Sequence, residues 1–167
     1  SLESKQYFVL TLHRPNNVDE EGKLKVMLDA IAEGARGHKV IFPTHPRTAK
    51  ILNDLHKGLA NFVYAEPMGY LEFNYLVKNC MAVITDSGGI TEEATVMGVP
   101  CLTLRDNTER PETVGIGTNE LVGTNPAYIK PILDKLFSGQ WKKGGIPEKW
   151  DGNAGERIVR ILKDLLL

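Results

Sequence analysis

The stretch MAVITDSGGITEEATVMGVPCLTL at residues 81–104 decides the fold of this chain. Its first five residues, Met81–Thr85, form a continuous apolar run, which is typical of a strand buried on both faces of a sheet. We expect a helix over about Ile90–Met97 that ends at Gly98, and then another strand at Cys101–Leu104. A strand, a helix and a second strand in this order predict neighbouring parallel strands.

The rest of the chain continues this alternation on both sides. The predicted strands are Tyr7–Leu12, Lys39–Phe42, Phe62–Tyr64 and, at an edge, Glu120–Val122, and the predicted helices are Glu20–Ala35, Arg47–Lys57, Tyr70–Lys78, Pro126–Phe137 and Asn153–Leu167. A segment rich in Gly, Pro and Lys, Ser138–Asp151, predicts a surface loop. The pattern predicts an α/β fold with a doubly wound, Rossmann-like parallel sheet, in a single domain over residues 1–167.

Composition excludes several classes of function. The chain has 167 residues, of which 42% are apolar and 25% charged, as in ordinary soluble globular proteins. The net charge of −1, with no aromatic residues interleaved among basic ones, argues against a nucleic-acid partner. No apolar run approaches the roughly 20 residues of a membrane span, and Ser1–Gln6 lacks the pattern of a signal peptide. We therefore expect a cytoplasmic protein without a membrane or nucleic-acid partner.

The residues that usually hold cofactors are sparse. Cys80 and Cys101 fall in apolar stretches and predict reduced, buried thiols rather than a disulfide framework or a zinc site. The four histidines are far apart in the sequence and have no metal-ligand spacing. There is no G-x-G-x-x-G motif, so a nicotinamide or flavin is not indicated. The sequence therefore predicts neither a metal nor a cofactor.

In a doubly wound sheet, ligands bind beyond the carboxyl ends of the strands. The strongest signal at such a position is Thr85-Asp86-Ser87-Gly88-Gly89, between a buried strand and a helix. The glycines allow close approach to the backbone, and the helix N-terminus and the Ser87 hydroxyl offer donors, so the loop predicts a phosphate or pyrophosphate site. A tight turn capped by Ser or Asp explains the same residues without a ligand. The loop is neither a hydrolase elbow, which has glycine where Thr85 stands, nor a Walker loop.

Two glutamates follow the glycines and are expected in the first turn of the next helix. The helix dipole alone favours carboxylates there, so we expect Glu92 to have a mainly structural role. Glu93 lies one turn beyond the glycines, near the expected position of a ribose attached to the phosphate. We expect its carboxylate to accept hydrogen bonds from the ribose hydroxyls.

Cationic residues follow three other strands. His13 and Arg14 come directly after the first strand, His45 and Arg47 after the second, and a charged run begins at Arg105 after Leu104. Arginine offers a planar fork for phosphate, and histidine can transfer a proton near neutral pH. Each of these segments could also be a solvated polar loop. Their concentration at strand ends in a slightly acidic protein predicts a phosphorylated ligand.

Several longer motifs carry a resemblance to a known family. They are HRPNNVD from His13, PTHP from Pro43, DSGGITEEATVMGVP from Asp86, LRDNTERPE from Leu104, LVG from Leu121 and DGNAGERI from Asp151. From about Tyr7 to the C-terminus, the chain resembles the UDP-N-acetylglucosamine 2-epimerases of the non-hydrolysing type. The sequence departs from the usual family pattern at three positions. Asn16 stands where glutamate is usual, Thr91 where glutamine is usual, and Thr95 where many bacterial members have proline.

The resemblance implies roles for individual residues. Ser87, Gly88 and Gly89 should hold the diphosphate of UDP-GlcNAc or UDP, and Glu93 should hold the ribose. Arg110 should contact phosphate, while the segment around Met68 and Phe73 should receive uracil. His13 matches the active-site histidine of the family, and Arg14 and His45 would line the same cleft.

The resemblance also implies that this chain is the C-terminal half of a two-domain, glycosyltransferase-B-type architecture. The N-terminal half, which would carry the catalytic carboxylates, is not in this sequence, so the chain alone is expected to be inactive. The whole enzyme would be a homodimer that interconverts UDP-GlcNAc and UDP-ManNAc by elimination and re-addition of UDP. Two alternatives are the nucleotide-sugar-binding half of a glycosyltransferase and a stand-alone nucleotide-binding module.

Overall fold

The computed structural model of the protein describes residues 2–18, 20–44 and 59–166. The strands in these ranges are β1 (Tyr7–Thr11), β2 (Lys39–Pro43), β3 (Phe62–Ala65), β4 (Ala82–Thr85), β5 (Cys101–Thr103) and β6 (Asn119–Leu121). The helices are α1 (Pro15–Val18), α2 (Glu21–Gly34), α3 (Tyr70–Asn79), α4 (Gly88–Met97), α5 (Pro111–Gly115), α6 (Ile129–Phe137) and α7 (Ala154–Leu166), with a 3₁₀ turn at Pro126–Tyr128.

The described strands form one parallel sheet in the order β3-β2-β1-β4-β5-β6. The chain starts in the middle at β1, builds outward to β3, and then returns to β4 on the other side of β1. This is the doubly wound, Rossmann-like α/β fold that the sequence predicts. The order reverses between β1 and β4, where Val9 lies beside Val83 and Thr11 beside Thr85. Loops that leave neighbouring strands at such a reversal open a crevice at their carboxyl ends.

The central strands are buried on both faces because helices cover the sheet on each side. In β1, Phe8 and Leu10 belong to one apolar cluster, while Tyr7 and Val9 belong to a second. The buried residues of α2 and α6 complete the first cluster, and those of α3 and α4 complete the second. Burial on both faces explains why the central strands are apolar at nearly every position.

Several helices differ from the predicted ones. Helix α4 begins at Gly88, two residues before the expected start, so Glu92 and Glu93 lie in its second turn and not in the first. Residues 126–137 divide into a 3₁₀ turn and α6. The short helices α1 and α5 were not predicted, since four or five residues are too few to show a helical period. The predicted helix Arg47–Lys57 lies outside the described residues.

The close contact between α4 and the segment before β6 depends on Gly117. A β-carbon on this buried glycine would lie 2.5 Å from Oγ1 of Thr95 and 2.6 Å from the carbonyl oxygen of Thr113. Both neighbours are themselves buried. Any side chain here would therefore push α4 and α5 apart.

Gly117→Ala is expected to destabilise the protein by about 1–3 kcal/mol, the usual cost of overpacking a filled interior. Gly115→Ala is the matched control, because a β-carbon on Gly115 meets nothing within 4 Å. Urea unfolding of both variants measures the difference. Equal stability of the two variants would contradict the close approach at Gly117.

Candidate functional site

Two loops meet at the point where the strand order reverses. The Asp86 side chain, which follows β4 and is fully buried, accepts hydrogen bonds from the loop that follows β1. Its Oδ2 lies 3.1 Å from the backbone nitrogen of His13, 3.0 Å from that of Arg14 and 3.0 Å from Nδ2 of Asn17. A buried carboxylate needs such partners to offset the loss of water. Asp86 therefore fastens the His13–Arg14 loop against the start of α4.

The N-terminus of α4 has no side-chain cap. Ser87 takes the N-cap position with an extended backbone, and its side chain makes no capping hydrogen bond. Its backbone nitrogen donates to Oγ1 of Thr85 at 3.0 Å. The turn is therefore not capped by Ser87 or by Asp86, whose side chain faces the other loop. The first amides of α4 have no acceptor within the helix and carry positive partial charge.

The glycines at the start of α4 are not required by the packing of the described residues. Gly88 and Gly89 have helical backbones without a positive φ. A β-carbon on Gly89 would meet no atom within 4 Å, and one on Gly88 would make ordinary contacts at 3.6 and 3.8 Å. Glycine in a helix costs about 1 kcal/mol relative to alanine. Neither backbone conformation nor the packing of the described residues accounts for these two glycines.

A surface pocket of about 650 Å³ runs along α4, a volume suited to a small organic ligand. Glu93 and Arg110 both line it, together with Tyr70 and Trp150. Glu93 stands four residues after Gly89, so the two lie on the same face of the helix. The structure thus brings Glu93, Arg110 and the α4 face together.

A buried polar chain holds the segment that presents Arg110. Thr103 donates to Oδ1 of Asn119 at 2.7 Å, and Nδ2 of Asn119 donates to Oγ1 of Thr113 at 3.2 Å. Oγ1 of Thr113 in turn donates to the carbonyl oxygen of Arg110 at 2.7 Å. The start of α5 is therefore tied to β5 and β6 by side chains that are fully or almost fully buried.

The arginines of these loops are paired with carboxylates. Arg105 forms two hydrogen bonds with Glu109, at 2.7 Å from Nη1 and 2.6 Å from Nη2. Nη2 of Arg14 lies 3.9 Å from the same carboxylate. Nε of Arg110 donates to Glu92, which therefore does more than complement the helix dipole. Arg14, Arg105 and Arg110 thus all have a carboxylate nearby in this structure.

The pKa of Glu109 is lowered from 4.5 to about 2, mainly by the hydrogen bonds from Arg105. The Glu109 side chain is largely exposed, whereas that of Arg105 is almost fully buried. Arg105 thus has a structural role, because its guanidinium group is already bound by Glu109. Arg110, in contrast, is half exposed and lies beside the pocket.

The residues expected near uracil lie beside the same helix. Met68 and Phe73 are partly buried and pack against the apolar cluster that includes Ala94 of α4. The backbone nitrogen of Phe73 donates to the carbonyl oxygen of Gly69 at 2.9 Å. His45 lies outside the described residues.

Comparison with known proteins identifies the family. The family profile described as UDP-N-acetylglucosamine 2-epimerase matches residues 1–163. The chain belongs to this family. A UDP-N-acetylglucosamine 2-epimerase of Methanocaldococcus jannaschii is 44% identical over 165 residues, which are 93% of this chain and 44% of that protein. The match does not favour the glycosyltransferase alternative.

A solved structure and one further relative bear on the site. A crystal structure of the M. jannaschii UDP-GlcNAc 2-epimerase in complex with UDP-GlcNAc and UDP has a TM-score of 0.82 and 43% identity, over 96% of this chain and 46% of that one. A UDP-2,3-diacetamido-2,3-dideoxy-D-glucuronate 2-epimerase of Pseudomonas aeruginosa is 41% identical over 170 residues, which cover 98% of this chain and 46% of that protein. The chain thus spans about half the length of these relatives.

Sequence reasoning missed Asp86 and Asn17, which join the two loops. The sequence predicts no more than a turn cap for Asp86, since it does not reveal that β4 lies beside β1. The one available signal was a carboxyl group directly after a fully apolar strand, where burial demands partners. Only the strand order shows that the loop after β1 is the partner of Asp86.

Other expectations can be compared with the described residues. They contain no group of three or more His, Cys, Asp or Glu side chains placed to hold a metal ion. None of their helices has the length and apolar character needed to cross a membrane. Cys80 and Cys101 are free and buried, as predicted, and burial raises the pKa of both thiols to about 12.

The pairing of Glu109 predicts a specific acid sensitivity. Because its pKa is lowered on folding, the stability that it contributes is present above about pH 4.5 and is lost as the pH falls towards about 2. Glu109→Gln should therefore show a smaller loss of stability over this interval than the wild type. Glu33→Gln, which removes an exposed carboxylate of α2, is the control and should keep the wild-type slope. Urea unfolding at several pH values decides this, and equal slopes for Glu109→Gln and the wild type would contradict the pairing.

Proposed function

We propose that this chain forms the UDP-binding half of a UDP-N-acetylglucosamine 2-epimerase, which interconverts UDP-GlcNAc and UDP-ManNAc. The observation that carries the proposal is the open N-terminus of α4, where Gly88 and Gly89 leave space that the packing of the described residues does not use. Because the chain belongs to this family, we infer that the diphosphate of a UDP-sugar occupies that space. Backbone amides at a helix N-terminus suit such a group.

The proposed arrangement of the nucleotide follows α4. Ser87, Gly88 and Gly89 hold the diphosphate, and Glu93, on the same helix face as Gly89, accepts hydrogen bonds from the ribose. Arg110 leaves Glu92 and turns to a phosphate oxygen. Uracil lies at the segment around Met68 and Phe73, beside Tyr70, which lines the pocket with Glu93.

The proposed chemistry is an elimination followed by re-addition. The bond from C1 of the sugar to the UDP oxygen breaks, its electron pair leaves with UDP, and C2 loses its proton. UDP then re-adds to C1 of the resulting glycal while C2 receives a proton on the opposite face. This half of the enzyme stabilises the charge that grows on the leaving diphosphate, through the α4 amides and Arg110.

Proton transfer would need groups on both sides of the cleft. His13 and Arg14 reach the cleft from the loop after β1, and we assign His13 the catalytic role and Arg14 and His45 a share in substrate binding. The carboxylates expected for C2 belong to a second, N-terminal domain, so the present chain alone is predicted to have no turnover.

A second domain is supported by two observations. The relatives are about twice as long as this chain. Helix α7 exposes a row of apolar side chains, Ile158, Ile161, Leu162 and Leu165, and has no buried residue. We propose that the second domain covers this face, within a homodimer. The two free cysteines support a cytoplasmic location.

UDP should bind this chain about tenfold or more tightly than UMP or ADP, since UMP lacks the second phosphate and ADP lacks uracil. Isothermal titration calorimetry with the three nucleotides measures this. UDP is common to the substrates named for both relatives, so the test does not depend on the sugar. Binding of UDP no tighter than that of either control would contradict the proposed function.

The Gly89→Ala variant distinguishes an effect on UDP binding from an effect on stability, and its affinity is measured in the same titration. The added methyl group meets no protein atom, so stability should be kept or raised by up to about 1 kcal/mol. The affinity for UDP should fall about tenfold or more, because the methyl group occupies the space of the diphosphate. Gly155→Ala, an equally unhindered change in α7, should leave the affinity unchanged.

A further inference from the structure

The Asp86 carboxylate contacts the ring of His13 as well as the backbone of its loop. Oδ1 of Asp86 lies 2.7 Å from Nδ1 of His13 and 3.2 Å from the backbone nitrogen of the same residue. Asp86 is fully buried, whereas 59% of the His13 side chain is exposed. One edge of the imidazole is therefore bound inside the protein, and the rest of the ring faces outward.

The position of Asp86 is fixed by contacts other than the one with the His13 ring. Its Oδ2 accepts from Nδ2 of Asn17, and the same amide group donates to the carbonyl oxygen of Leu104 at 3.3 Å. The backbone nitrogen of Asp86 lies 3.4 Å from the carbonyl oxygen of Thr11. The carboxylate is thus held by the Asn17 amide and by backbone nitrogens of the loop after β1, in addition to its contact with the His13 ring.

A carboxylate can only accept a hydrogen bond, so Nδ1 of His13 must be the donor in this contact. When the imidazole is neutral, its single proton then resides on Nδ1, and Nε2 carries the free lone pair. The hydrogen bond made by one ring nitrogen sets the tautomer of the other. Buried carboxylates paired with a catalytic histidine hold both the tautomer and the orientation of the ring.

We propose that Asp86 is a positioning residue that fixes His13 as the Nδ1–H tautomer, with Nε2 presented to the cleft as a proton acceptor. Asp86 acts through His13 and does not touch the substrate. It also aligns Arg14, whose Nε donates to the carbonyl oxygen of Asp86 at 3.1 Å. The catalytic consequence rests on the proposed function, but the tautomer is a property of the ligand-free chain.

The test is a long-range ¹H–¹⁵N spectrum of the histidine rings in the ligand-free chain, at a pH where they are neutral. His13 is assigned by its loss in His13→Gln. We expect the unprotonated nitrogen of His13 to be Nε2, recognised by its couplings to both ring protons. An Nε2–H ring, or an average of the two tautomers, would overturn the proposal.

His38 provides an internal reference in the same spectrum. Its Nδ1 lies 3.0 Å from the carbonyl oxygen of Ala35, which can only accept, so His38 also should be an Nδ1–H ring. In Asp86→Asn, His13 should lose its preference for this tautomer while His38 keeps it. Asp106→Asn is the matched control, because Asp106 binds Thr124 in a neighbouring loop and should leave both rings unchanged.

The outcomes are distinct from those of the nucleotide titration. If Asp86→Asn does not fold, the wild-type spectrum still decides the tautomer. A folded Asp86→Asn chain with an unchanged His13 tautomer would show that Asp86 does not set it. Weak UDP binding with an Nδ1–H His13 would count against the proposed function and leave the role of Asp86 intact.

Discussion

The buried Asp86 carboxylate is the contact on which the arrangement of the site depends. Parallel strands end at one edge of a sheet, but their loops are free to diverge unless something joins them. Asp86 joins the loop after β4 to the loop after β1 through the backbone nitrogens of His13 and Arg14. The energetic penalty of an unpartnered buried carboxylate makes this connection strict. The loop that carries His13 is therefore held beside the N-terminus of α4.

The arginines around the crevice are paired with carboxylates. Arg105 is saturated by Glu109, and Arg110 is paired with Glu92. Arginines for a diphosphate can therefore lie near the proposed site although the whole protein has a net charge of −1. The backbone amides of α4 need no such partners, because their partial charge comes from the helix itself. They are the permanent part of the proposed anion site, and Arg110 is the exchangeable part.

The fold class was predictable because its signal is local: apolar runs such as Met81–Thr85 and the helical pattern after them require no knowledge of neighbours. The strand order is not local, so the junction made by Asp86 could not be predicted, and neither could the pairing of Arg110 with Glu92. The sequence predicts the start of α4 two residues late because glycine is a poor helix former, and the surrounding fold overrides this preference at Gly88. Of the predicted site residues, the structure brings Glu93 and Arg110 to one pocket and His13 and Arg14 to the neighbouring loop, while the ligand contacts of all four remain predictions.

The central claim is that one crevice, at the reversal of strand order between β1 and β4, receives the UDP group. A crystal structure of this chain with UDP tests it most directly. The account predicts diphosphate oxygens within hydrogen-bond distance of the Gly88 and Gly89 backbone nitrogens, and ribose hydroxyls on the Glu93 carboxylate. A diphosphate bound elsewhere, with the N-terminus of α4 facing solvent, would contradict it.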